Sequence, residues 1–260
     1  MEVTLQEFLA TGVFAFIITF VRLGSALMIM PGVGDSFISA RVRLLFALGL
    51  SFALSPLLMK YVPNPLPGTV ALFLLIIMEF VIGIFFGTIA RIFMVALDVA
   101  GMVTSMQSGL GSAQLFNPSL ATQGSLIGAF FSVTGVTVLF ATNLHHLLFM
   151  GLVESYEFFP VGTIPDTGSM AEFMSVAVGA SFSIGVKMAA PFIVITLLIY
   201  AGMGVLTRLM PQVQVFMIAL PLQILLSLLT MAGVISGIYL FWSAEFEQAI
   251  SFFLTSVQTR

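Results

Sequence analysis

Six apolar stretches limit the possible folds of this chain more than any other feature. They run from Phe8 to Met30, Leu44 to Met59, Val70 to Leu97, Leu126 to Met150, Met174 to Thr207 and Val213 to Trp242. A helix crosses the bilayer core with about 20 mostly apolar residues, and all but the second stretch reach that length. Backbone groups in lipid must find partners inside their own segment, which a helix provides. Only 7% of the residues are charged, 60% are hydrophobic and the mean hydropathy is +1.18. A soluble domain carries roughly a quarter charged residues, so this chain cannot cover a water-facing surface. The sequence predicts an all-α, polytopic membrane protein with about six long hydrophobic segments arranged as kinked helical hairpins. The kinks are expected at Pro191 and Pro221, which fall inside the fifth and sixth stretches.

Composition excludes several function classes. A net charge of -3 is too small to imply nucleic acid as a partner. With no cysteine, there is no disulfide, thiolate catalysis or iron–sulfur ligation. The N-terminal "MEVTLQEF" is acidic where a cleavable signal is basic, and Arg22 sits in the run that follows. That run is expected to stay as a first helix. No HExxH, GxSxG or GxxxxGK[ST] occurs, so the chain is not expected to be an enzyme and needs no cofactor or metal. His145 and His146 are adjacent, and neighbours on a helix point about 100° apart, a poor arrangement for one metal ion.

The connecting segments set the expected topology. Arg41 and Arg43 follow the first stretch and Arg208 the fifth, which places both loops in the cytoplasm by the positive-inside rule. The connection after the fourth stretch carries Glu154, Glu157, Asp166 and Glu172 without Lys or Arg, so it belongs outside. Alternation then puts both termini outside. Arg91 agrees with this orientation and Lys60 disagrees.

Charges inside the apolar stretches are candidate functional residues, because each costs a few kcal/mol at the bilayer centre. They are Arg22, Glu79, Arg91 and Lys187, with Asp98 at an edge. Arg91 and Asp98 are seven apart and share a helix face. An ion relay would line several acids along one path, and these are scattered, which favours structural pairing within or between subunits. Three small-xxx-small patterns occur, at Gly83/Gly87, Gly124/Gly128 and Gly233/Gly237. With this many glycines, random placement gives about two such matches, so the pattern alone decides nothing.

Two further stretches stand out. "MQSGLGSAQLFNPSL", Met106 to Leu120, holds glycines and amides and no charge between two spans. "RLMPQVQVFMIALP", Arg208 to Pro221, places Pro211 at a helix start with Gln212 and Gln214 beside it, and Gln223 lies further along. One interrupted region in each half is also the pattern of a secondary transporter for a small solute with a broken-helix binding site.

Together, "GMVTSMQSGLGSAQLFNPS" and "RLMPQVQVFMIALPLQ" resemble the FliR family of flagellar biosynthetic proteins and the related virulence type III secretion subunits. The resemblance spans essentially the whole chain. Arg208, Pro211, Gln212, Phe216 and Pro221 match the second motif, as assembly or kink residues. Gln107, Gly109 and Pro118 match the first; Asn117 stands where the family often has Asp, and Gln214 where it often has Asn. The resemblance implies a core subunit of the flagellar type III export gate in the bacterial inner membrane at the basal body. It also implies a channel formed with FliP and FliQ, contact with FlhB, and passage of unfolded substrates. Residues 1–170 would resemble FliP, and residues 171–260 the FliQ hairpin. Residues 106–118 would plug the pore, through Met106, Gln107, Gly109, Leu110, Gly111, Gln114, Leu115, Phe116, Asn117 and Pro118. Several of the apparent spans would then pack against partner subunits rather than lipid.

Overall fold

A computed structural model describes the backbone of residues 5–61, 63, 68–112, 125–210 and 215–258. Among these residues there are seven α-helices and no strand: α1 Leu5–Ile29, α2 Ala40–Leu58, α3 Thr69–Gln107, α4 Leu126–Ala141, α5 Leu144–Phe158, α6 Thr167–Leu209 and α7 Val215–Gln258. Short 3-10 turns occupy Met59–Tyr61 and Leu110–Ser112. Among the described residues, five helices are long and apolar enough to cross a membrane, or up to six spans if α4 and α5 count as one. This is the architecture that the apolar stretches predict.

The helices differ from the stretches in informative ways. The fourth stretch is two helices, because the chain breaks at Thr142 and Asn143, where Asn143 takes φ 61°. Asparagine tolerates that left-handed conformation better than most residues. α3 continues ten residues past the third apolar stretch, so Asp98 lies inside the helix and Met106 and Gln107 form its last turn. At 1.5 Å per residue, α3, α6 and α7 are about 58, 64 and 66 Å long, roughly twice the hydrocarbon thickness.

Pro56, Pro191 and Pro221 all lie within helices. A proline removes the N–H that the carbonyl four residues earlier would accept. In α2 the Ser55 hydroxyl donates instead to the freed carbonyl of Phe52, at 3.2 Å. Ser39 caps the start of α2, accepting from the Val42 amide.

The chain divides into two compact units. The first comprises Met1–Ile92, Asn143–Ala177 and Gln248–Arg260. In it α1 packs on α2, and Phe14, Ile18 and Leu75 form a buried cluster with Leu72, Ile76 and Val161 against it. Gly83 and Gly87 let α3 lie directly on α1: a Cβ at Gly83 would stand 2.3 Å from the Arg22 carbonyl oxygen, and one at Gly87 2.6 Å from that of Ala26. Phe85 and Phe86 meet the Phe159 ring edge-to-face.

The second unit comprises Phe93–Thr142 and Val178–Glu247. α3 and α4 cross at glycines, where a Cβ on Gly101 would fall 2.2 Å from the Gly128 Cα. Gly185 brings α6 onto α3, where a Cβ would stand 2.8 Å from the Ala96 carbonyl oxygen. The buried Trp242 donates its indole N–H to the Phe93 carbonyl (3.2 Å), and the Tyr239 hydroxyl donates to the Phe131 carbonyl (3.2 Å). These two bonds satisfy the polar ends of large aromatic side chains within an otherwise apolar interior.

Candidate functional site

Among the described residues, each unit holds buried polar side chains gathered around a few points. In the first unit Arg22 and Glu79 are fully buried and paired. Arg22 Nε donates to Glu79 Oε2 at 2.5 Å and Nη2 to Oε1 at 2.9 Å, the two-pronged geometry that suits a guanidinium and a carboxylate. Nη1 donates to the Ser155 carbonyl (3.0 Å) and hydroxyl (3.2 Å), and Nη2 also to the Phe159 carbonyl (2.8 Å). The guanidinium carbon lies 3.9 Å above the Tyr156 ring. Every donor of the fork is thus used, with charge, carbonyls and a ring face replacing water. This cluster ties α1, α3 and α5 at one point in the apolar interior.

A second ion pair of the same unit joins Arg91 to Asp35. Asp35 also accepts from the Gly32 amide at 2.7 Å. Arg43 donates to the carbonyls of Val33, Asp35 and Ile38, wrapping the turn between α1 and α2. Arg91 therefore finds an acid 56 residues away in sequence. The rings of His145 and His146 lie with centroids 4.2 Å apart, and His145 sits edge-on to Phe149.

The second unit contains the constellation around the end of α3. A helix leaves its last carbonyls without internal partners. Here the carbonyl of Gln107 accepts from the Thr196 hydroxyl on α6, at 2.8 Å, and from the Gln223 amide on α7. Gln223 is 2% exposed and Thr196 2%, so both donors are spent on this carbonyl in a dry interior. After Gln107 the chain turns. Ser108 donates to the Ser105 carbonyl (3.0 Å) and accepts from the Leu110 amide (3.4 Å). Gly109 takes φ 75°, a conformation that disfavours side chains, with Leu220 and Gln223 closing on it. Gly111 has ordinary φ, and a Cβ there would stand in ordinary van der Waals contact with the Ser105 carbonyl oxygen, at 3.5 Å. At the other end of the connection, Ser125 caps α4 by accepting from Gly128 (3.1 Å) and donates to the Gly101 carbonyl (3.1 Å).

The structure thus joins the two motif stretches, Gln107 and Gly109 from one and Leu220 and Gln223 from the other. Met106 is 68% exposed beside this junction. Gln114, Leu115, Phe116, Asn117 and Pro118 lie outside the described residues, as do Pro211 and Gln212. Phe216 is in the first turn of α7, and Pro221 is exposed on the same helix. Arg208 is exposed in the last turn of α6, where a cation complements the helix dipole. Lys187 is exposed on α6. Sequence reasoning missed Thr196, Ser155 and Asp35. Only Asp35 carried a signal, as an acid beside Arg41 and Arg43.

Fold and sites define a class first: a polytopic all-helical membrane protein with buried, internally neutralised polar clusters and no nucleotide or nucleophile motif. The family model for bacterial export proteins, family 1, matches residues 13–249. The flagellar biosynthetic protein FliR of Caulobacter vibrioides is 38% identical, covering 93% of this chain and 96% of that protein. FliR of Aquifex aeolicus is 30% identical, covering 99% and 98%. Yop proteins translocation protein T of Yersinia pestis is 30% identical over 58% of this chain. The chain belongs to family 1 of the bacterial export proteins, in the flagellar FliR group, as a membrane component of a type III secretion apparatus.

Proposed function

We propose that this chain is a core, non-enzymatic subunit of the flagellar export gate. It forms with FliP and FliQ the channel that passes unfolded flagellar proteins across the inner membrane, and it contacts FlhB. Residues 1–170 take the FliP-like part and residues 171–260 the FliQ-like hairpin. Both termini face the periplasm. Segment 106–118 closes the channel until a substrate arrives.

The observation that carries this reading is the anchored hinge at the end of α3. Thr196 and Gln223 fix the Gln107 carbonyl, and two residues later Gly109 takes the positive φ at which the chain changes direction. A plug needs such a fixed root, a turn free of side-chain hindrance, and a neutral segment beyond it. The segment Gly109–Pro118 carries no charge and offers Leu110, Leu115 and Phe116 to an apolar constriction. Membership of an export family supports this reading over a solute transporter with a broken-helix site.

The native chain has no cysteine, so a single cysteine at Leu115 is a unique reporter. An export substrate stalled by a folded C-terminal domain, with one cysteine in its unfolded part, is expected to form a disulfide with it. The same substrate should spare a control cysteine at the exposed Val176. Equal capture at both positions would overturn the assignment of this segment to the substrate path.

A further inference from the structure

The glycine pairs that sequence could not separate are put to different uses. Gly83 and Gly87 are filled by α1, and Gly128 lies against Gly101. Gly233 and Gly237 on α7 face open space, with nothing within 4 Å of where a Cβ would stand. They line a groove of about 440 Å³ with Lys187, Pro191, Ser236 and Phe241.

Lys187 is the unusual wall of that groove. It sits 20 residues from the start of α6 and 22 from its end, about 30 Å from either by helical rise. It is exposed and makes no ion pair among the described residues. A bare ammonium amid an apolar helix is costly in a membrane and normally finds a partner. Pro191, one turn on, has no N–H to give to the Lys187 carbonyl. A cation and a proline-interrupted backbone therefore stand beside a glycine-floored groove, where another backbone can approach closely.

We propose that this groove receives an apolar helix from a different subunit, which presents a carboxylate to Lys187 and a small-residue face to Gly233 and Gly237. A lipid phosphate answers the ammonium but presents no small-residue face to Gly233 and Gly237, so it fits less well. The inference goes beyond the gate reading and does not need segment 106–118 to close a channel.

The test uses the full chain in native membranes, with the photo-reactive residue benzoylphenylalanine at Phe241. Irradiation is expected to give an adduct with another protein whose cross-linked peptide is an apolar helix containing Asp or Glu. Lys187→Arg should keep the yield, and Lys187→Glu should lower it about tenfold by removing a charge-assisted contact. Replacing the partner's acid with Lys should restore the yield to Lys187→Glu. Gly237→Leu, whose Cβ would meet nothing within 4 Å, should also abolish the adduct even if Lys187→Glu fails to accumulate. An adduct with a second copy of the 27.9 kDa chain would overturn the proposal. So would one with lipid alone, one with a peptide lacking an acid, or one indifferent to both Lys187→Glu and Gly237→Leu.

Discussion

Removing Glu79 while leaving Arg22 should be among the most damaging single changes to this protein. Both side chains are fully buried, so Glu79→Leu strands a guanidinium with no counter-charge and no water. Breaking such a pair from one side costs about 3–5 kcal/mol, or two to three and a half orders of magnitude in the folded ratio. Arg22→Met should cost at least as much. It strands the carboxylate and also takes the donor from the Phe159 carbonyl, a further loss of about 1–3 kcal/mol if that group is left unmet. The Ser155 carbonyl suffers less, because it still accepts from the Phe159 amide at 2.9 Å. The double variant Arg22→Met with Glu79→Leu removes both charges. Its deficit should shrink to the carbonyl term, about 1–3 kcal/mol. Denaturant unfolding of the detergent-solubilised protein, run on all four members of the cycle, reads the coupling directly. It should exceed about 3 kcal/mol. Additive single effects, or single variants within about 0.5 kcal/mol of the native protein, would refute the account of a dry, mutually dependent pair.

Other substitutions probe the helix crossings and the hinge. Gly83→Ala places a Cβ 1.9 Å from Ser25 Oγ and 2.3 Å from the Arg22 carbonyl, so it should lower the membrane level of the chain severalfold, seen by immunoblot. Gly109→Val forces a β-branched residue to φ 75°, at a cost of at least about 1–2 kcal/mol, and should slow export while leaving assembly intact. Gly111→Val, at ordinary φ, should have a smaller effect on secretion into the medium. Gln223→Leu removes one donor from the Gln107 carbonyl and should shift substrate secretion or ion leak at unchanged chain level. Arg208→Glu puts an acid at the C-terminal end of α6 and in an expected cytoplasmic loop, and should impair insertion or assembly by native gel.

Hydropathy alone located most of the long helices, because a helix satisfies its own backbone in lipid. It did not locate where α3 ends. Ala100 to Gln107 reads as weakly polar and glycine-bearing, yet it stays helical because Gly101 is used for the crossing with Gly128. Nor did it show the break at Asn143, a single residue in left-handed backbone within an unbroken apolar run. The charges were visible as costly residues, but their partners were not. Arg22 and Glu79 are 57 residues apart, and only the glycine contact between α1 and α3 brings them together. Arg91 was read with Asp98 because helical spacing is the only geometry a sequence displays, whereas Asp35 meets it through a tertiary turn. Gln223 stood out as an amide in an apolar helix, but its task of completing the end of α3 required knowing where α3 stops.

The central claim is that the segment rooted at Gln107 and Gly109 seals a channel. It is tested most directly by deleting Gly109 to Leu115, co-expressing the chain with FliP and FliQ, and recording membrane conductance of the intact assembly. The account predicts ion leak from the deletion and none from the native assembly. An assembled deletion variant as tight as the native one would contradict it and make this segment a structural connector.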